Sequence, residues 1–91
     1  MVNNVKVLKF VSGEEVIARI EQKETLIILD NPQKCIEMRL NEGKIQFGLT
    51  PWFMGGKNDK VTVSIDHIMA QDVPTDKQEK IYLASVTGLT L

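Results

Sequence analysis

One histidine, one cysteine and one tryptophan are the residues from which this chain has to build any chemistry. His67 follows Asp66, a neighbour able to tune an imidazole, but a catalytic set also needs a nucleophile or a second acid–base group within hydrogen-bond reach. A lone His beside a tuning Asp is not such a set, so His67 is expected in a loop or interface, and no enzymatic activity is expected. Cys35 has no Cys or His at ligand spacing, which argues against zinc and leaves it as a half-buried small residue. Neither a metal nor a cofactor is expected. Trp52-Phe53-Met54, ahead of Gly55-Gly56, suits a partner-binding loop or a platform on which bases stack. The competing use is packing, with Trp52 over the mouth of a barrel or under a helix, and a small domain seldom leaves Trp and Phe free. Lys23, Lys57 and Lys60 are candidates for phosphate contacts. Isolated lysines are ordinary solvated surface unless an assembly repeats them into a circle of charge.

These residues sit in a chain of 91 residues, the size of one domain with a thin stability margin that oligomerisation would widen. Lys plus Arg number 11 and Asp plus Glu 12, a net charge of −1, so there is no global attraction to nucleic acid or to an anionic membrane. A single cysteine forms no intrachain disulfide and fits a reducing compartment. No apolar run approaches the roughly 18 residues of a spanning helix, and MVNNVKVLKF lacks the apolar core of a secretion signal. The expectation is a soluble, cytoplasmic protein with no membrane partner.

The elements that position the candidates are organised around residues 25–40, TLIILDNPQKCIEMRL. Leu26, Ile27, Ile28 and Leu29 are apolar on both faces of a strand, where a strand with one wet face would alternate, so cover on both sides is expected. Asp30-Asn31-Pro32-Gln33 interrupts the strand, because Pro32 donates no ladder hydrogen bond and forces a bulge, a bend or an edge. Ile36, Met38 and Leu40 then alternate with Cys35, Glu37 and Arg39. A long strand that bends midway and serves both halves of a sheet is the mark of a small curved barrel.

Val5–Phe10 and residues 15–21 (EVIARIE) form a hairpin about Gly13, and Gln22-Lys23-Glu24 is a short polar connection. Asn41-Glu42-Gly43 is another hairpin turn. Ile45, Phe47 and Leu49 mark a half-buried strand, residues 51–59 a loop, Val61, Val63 and Ile65 a further strand, and residues 68–73 a last short one ended by Pro74. Thr75 with Gln78 makes a capping box for a helix over residues 76–86, stopped by Gly88. The expected architecture is five or so strongly bent antiparallel strands, a barrel over residues 4–73, and one C-terminal helix.

This order, the turn at Gly13 and the final VTVSIDHIMAQ resemble the Sm-like (LSm) fold. KVLKFVSGEEVIARI, the central Pro51-Trp52 and the late Asp66-His67-Ile68-Met69 are more closely similar to the small Sm-like proteins of marine bacteriophages, over nearly the whole chain. The resemblance implies a bent five-stranded SH3-type barrel and a ring of about five to seven copies, one subunit's last strand pairing with a middle strand of its neighbour. With a phage origin it implies the cytoplasm of an infected host. A small open barrel has free edges, and closing a ring removes them.

The family's RNA site lies where the loop before the central strand meets the turn between the last two strands. Here that joins Gln22, Lys23, Glu24 and Thr25 to Ser64, Ile65, Asp66 and His67. The family's Asp and Asn, four apart, are replaced by Glu21 and Thr25, and its Arg-Gly pair by Ser64-Ile65, so the usual uridine pocket is not supported. The helix, N-terminal in that family, stands at the C-terminus. Lys23 and His67 can face phosphate and Thr25 and Ser64 can hydrogen-bond, while Glu21, Glu24 and Asp66 repel phosphate. The functional expectation is a ring with weak binding of RNA or single-stranded DNA through Gln22, Lys23, Thr25, Ser64 and His67. The alternative is a ring-shaped assembly adaptor that takes a protein partner through Trp52 and Phe53 or through the helix face.

Overall fold

In a computed structural model, the described residues are 4–53, 55–56 and 59–87. Met54, Lys57 and Gly88, named above, lie outside them. Six strands and one helix run in the order β1 (Val5–Phe10), β2 (Glu15–Lys23), β3 (Leu26–Arg39), β4 (Ile45–Pro51), β5 (Lys60–Ser64), β6 (Ile68–Asp72) and α1 (Asp76–Thr87). All pairings are antiparallel and the sheet order is β4-β3-β2-β1-β6, with β5 also on β3. The result is the expected small, strongly bent barrel-like sheet with a C-terminal helix, left open between β5 and β6.

Strand β3 bends where Pro32 requires it. Asn31 takes a left-handed φ of 50°, a conformation Asn tolerates better than most residues, and the β2–β3 register slips between Ile17 and Arg19. Before the bend, Leu26 to Asp30 pair with Ser64 to Lys60 of β5. After it, Gln33 to Arg39 pair with Pro51 to Ile45 of β4. Strands β4 and β5 thus lie end to end along one side of β3, so six segments fill five strand positions. Residues 52–59 are a detour out of that shared lane. Its two ends are tied back at the bend, Trp52 N–H to the Pro32 carbonyl (3.1 Å) and Asn31 N–H to the Asp59 carbonyl (2.7 Å).

Two apolar clusters cover opposite faces of the sheet. Leu8, Phe10, Val16, Ala18, Ile27 and Leu29 form one, with Trp52, Val63 and Ile65 against it. Val5, Ile17 and Tyr82 form the other, under α1, with Cys35, Leu49, Leu83 and Val86. The strand buried on both faces is therefore β2, through Val16, Ile17 and Ala18, and not the Leu26–Leu29 run. Ile27 and Leu29 are buried, Ile28 is half-buried and Leu26 is 46% exposed, because α1 does not reach that half of β3.

The hydroxyl of Tyr82 joins α1 to the bend. It donates to the Asp30 carbonyl (2.7 Å) and accepts from the Arg19 N–H (3.2 Å), standing between two residues that face each other across β2 and β3. Thr75 caps the helix as expected, its Oγ1 accepting from the Gln78 N–H at 3.3 Å.

Some boundaries and one burial pattern differ from those read in the sequence. The β2–β3 connection is only Glu24 and Thr25, with Gln22 and Lys23 still in the ladder, because Glu24 supplies the positive φ (52°) that a tight turn needs. Ile65 is not in a strand but opens a short 3-10 turn, Ile65–His67. The strand expected to be half-buried is so at Phe47 and Leu49, whereas Ile45 is exposed at the end of a hairpin that overhangs the sheet.

Candidate nucleic-acid interface

The two segments named for an RNA site do meet. The Thr25 carbonyl accepts from the Ile65 N–H at 2.9 Å, and Leu26 lies opposite Ser64 in the β3–β5 ladder. The meeting does not make one pocket. Gln22 lines a recess of about 200 Å³ with Ile27, Ile65, Ile68 and Met69. Ser64 and His67 line a different one, of about 380 Å³, together with Phe10, Val11, Trp52 and Thr62. The 3-10 turn contributes Ile65 to the first and His67 to the second. Lys23 stands in neither; it is exposed and 3.9 Å from Glu21, a contact worth little in water. Thr25 acts through its backbone. The Ser64 hydroxyl is engaged locally, accepting from the Asp66 N–H at 3.4 Å.

The two aromatic residues expected to act as one loop touch each other but differ in exposure. Trp52 packs on Phe10 with ring centroids 5.0 Å apart and on Phe53 at 5.2 Å, and belongs to the cluster opposite α1. It packs against the sheet, not under the helix. Its Nε1–H donates to Glu14 Oε2 at 3.1 Å. Glu14 is fixed in turn by the Ser12 hydroxyl, which donates to Oε1 at 3.2 Å, and by Lys34 Nζ at 3.7 Å. Phe53 is 51% exposed and borders a third, smaller recess with Pro32, Pro51 and Gly56.

The turn at Gly13 is the contributor that the sequence did not reveal. Gly13 has φ 97°, and the turn it permits carries Val11 and Ser12 to the wall of the Trp52 recess and Glu14 to the indole. The Val11 N–H then donates to the His67 carbonyl at 2.9 Å, which ties the turn to the segment before β6. His67 is exposed at the end of the 3-10 turn, on the loop side of the expectation. Glu14 and Trp52 are 38 positions apart, and no local pattern announces such a bond.

The Cys35 thiol is held in its protonated form at neutral pH by its surroundings. Burial pushes its thiol up from 9.0 to about 11, and the Glu15 carboxylate beside it adds to the shift. Among the described residues no group of three or more His, Cys, Asp or Glu is placed to hold a metal ion, and no helix is long and apolar enough to cross a membrane.

The site thus sits on a small bent β-sheet, open along two edges and bearing an aromatic recess at one of them. No protein-family model matches the sequence, and no curated protein matches it either.

Proposed function

We propose that this chain is an Sm-like ring subunit that binds single-stranded nucleic acid, RNA or DNA, weakly and with little regard to base. The observation that carries this reading is the pair of open edges: among the described residues β5 pairs only with β3, and β6 only with β1. Two free edges on one open sheet invite head-to-tail pairing of copies, and a rotation that closes gives a ring. Exposed Met69 on β6, with Val73 just beyond it, puts apolar surface at one of those edges. Light scattering on a size-exclusion column at micromolar protein is expected to give a mass several times that of the chain; a clean monomer would overturn the ring.

Binding is expected to be weak because Glu21, Glu24 and Asp66 stand beside Lys23 and His67 at the segments that meet. Fluorescence anisotropy with labelled oligo-U and oligo-A should show similar affinities that fall steeply with salt. The protein-adaptor reading is favoured by a different observation. Residues 37–46 are exposed throughout, and the hairpin they form carries Met38, Leu40 and Ile45 with no cover. Absence of binding to either oligomer at low salt would move the assignment to that reading.

A further inference from the structure

We infer that the recess beside Trp52 is a nucleobase pocket, distinct from the lysines that meet phosphate. The inference rests on the nucleic-acid reading above and places its base contacts. The recess is about 380 Å³, within the range of small-molecule sites. Among the described residues, none lining it is Lys, Arg, Asp or Glu. Among those residues a phosphate would find no lysine or arginine and an ammonium no carboxylate. Instead Ser12, Thr62, Ser64 and His67 line it beside the aromatic residues Trp52 and Phe10.

That chemistry fits an uncharged planar group with hydrogen-bonding edges. Hydroxyls both donate and accept, and so tolerate any base, while every base has a face to stack. The walls are held before any ligand arrives. The indole is pinned by Glu14 and backed by Phe10, and Val11 is bonded to His67 across the recess. Pre-set walls lower the ordering cost of binding. Phe53 is not part of this pocket.

The test uses Trp52 itself, the only tryptophan in the chain. Short oligo-U and oligo-A, and an abasic oligomer of equal length, are titrated into the full chain at low salt while anisotropy of a 5′ label and indole emission are recorded together. Anisotropy reports binding anywhere, and emission reports the recess. Both base-bearing oligomers should change the emission and the abasic one should not. Thr62→Phe, at an exposed position on the rim, should obstruct the recess and weaken base-bearing oligomers roughly tenfold, the scale of one lost stacking contact. It should leave the abasic oligomer unaffected, and Gln46→Ala on the distant hairpin should leave all three unaffected. Rising anisotropy with unchanged emission, or equal emission changes from the abasic oligomer, would overturn the pocket while nucleic-acid binding stands. No anisotropy change with any oligomer would overturn both.

Discussion

Tyr82 shows how much one side chain settles. Its hydroxyl satisfies an N–H of β2 and a C=O of β3 where the ladder slips, and its ring is wholly buried under α1. Tyr82→Phe leaves both backbone groups unmet and should cost roughly 1–3 kcal/mol in urea unfolding; a loss below about 0.5 kcal/mol would mean that water replaces the hydroxyl. Tyr82 and Cys35 also set an alkaline limit. Burial raises the Tyr82 phenol, the Arg19 N–H bond opposing it in part, and burial raises the Cys35 thiol to about 11. An acid raised in the folded state contributes stability that is complete below its unfolded value and disappears as pH rises through the folded one. The melting temperature should therefore fall between about pH 9 and pH 11, and Cys35→Ala should flatten part of that fall. The sequence marked His67, Cys35 and Trp52 as singular residues but gave no sign of Tyr82 as a bridge. Its partners are 63 and 52 positions away.

Among the elements, β3 was legible where local chemistry governs and illegible where packing does. Pro32 announced the bend, and Asn31 with its positive φ executes it. Asn31→Val should destabilise by roughly 1–2 kcal/mol because a β-branched residue resists that conformation, whereas Asn31→Gly should be nearly neutral. Equal losses would place the cost in the side-chain contact of Asn31 with Asp30 instead. The Leu26–Leu29 run looked uniformly apolar, yet which face lies under α1 depends on where a helix dozens of residues later lands. Leu29→Ala should cost roughly 2–5 kcal/mol and Ile28→Ala distinctly less, a ranking that thermal unfolding can check. The aromatic recess was the least legible feature. It draws on the turn at Gly13, the detour after β4, strand β5 and the turn before β6, four segments that share no pattern in the sequence.

For the molecule as a whole, the open edges are the quantity to perturb. Met69 is 64% exposed at the irregularity in the β1–β6 register, so Met69→Lys should leave the far-ultraviolet circular dichroism intact while lowering the mass seen by light scattering. An unchanged mass would show that copies, if they associate, do so elsewhere. The positions of the strands along the chain and the helix cap were readable from the sequence, since turn residues and periodicity are local. Edge occupancy was not, because it depends on which strands fail to meet. The shared lane of β4 and β5 carries a separate consequence for handling the protein. The detour between its halves passes through Gly55 and Gly56, both exposed, and a chain opened at such a tip keeps every ladder bond on either side. Two separately produced pieces divided between those glycines should find each other through β3, one supplying its own half of the lane and the other slotting in the remainder. Fused to unrelated proteins, the pieces would then become a complementation reporter, in which recovery of the Trp52 emission signals that the two passengers have met.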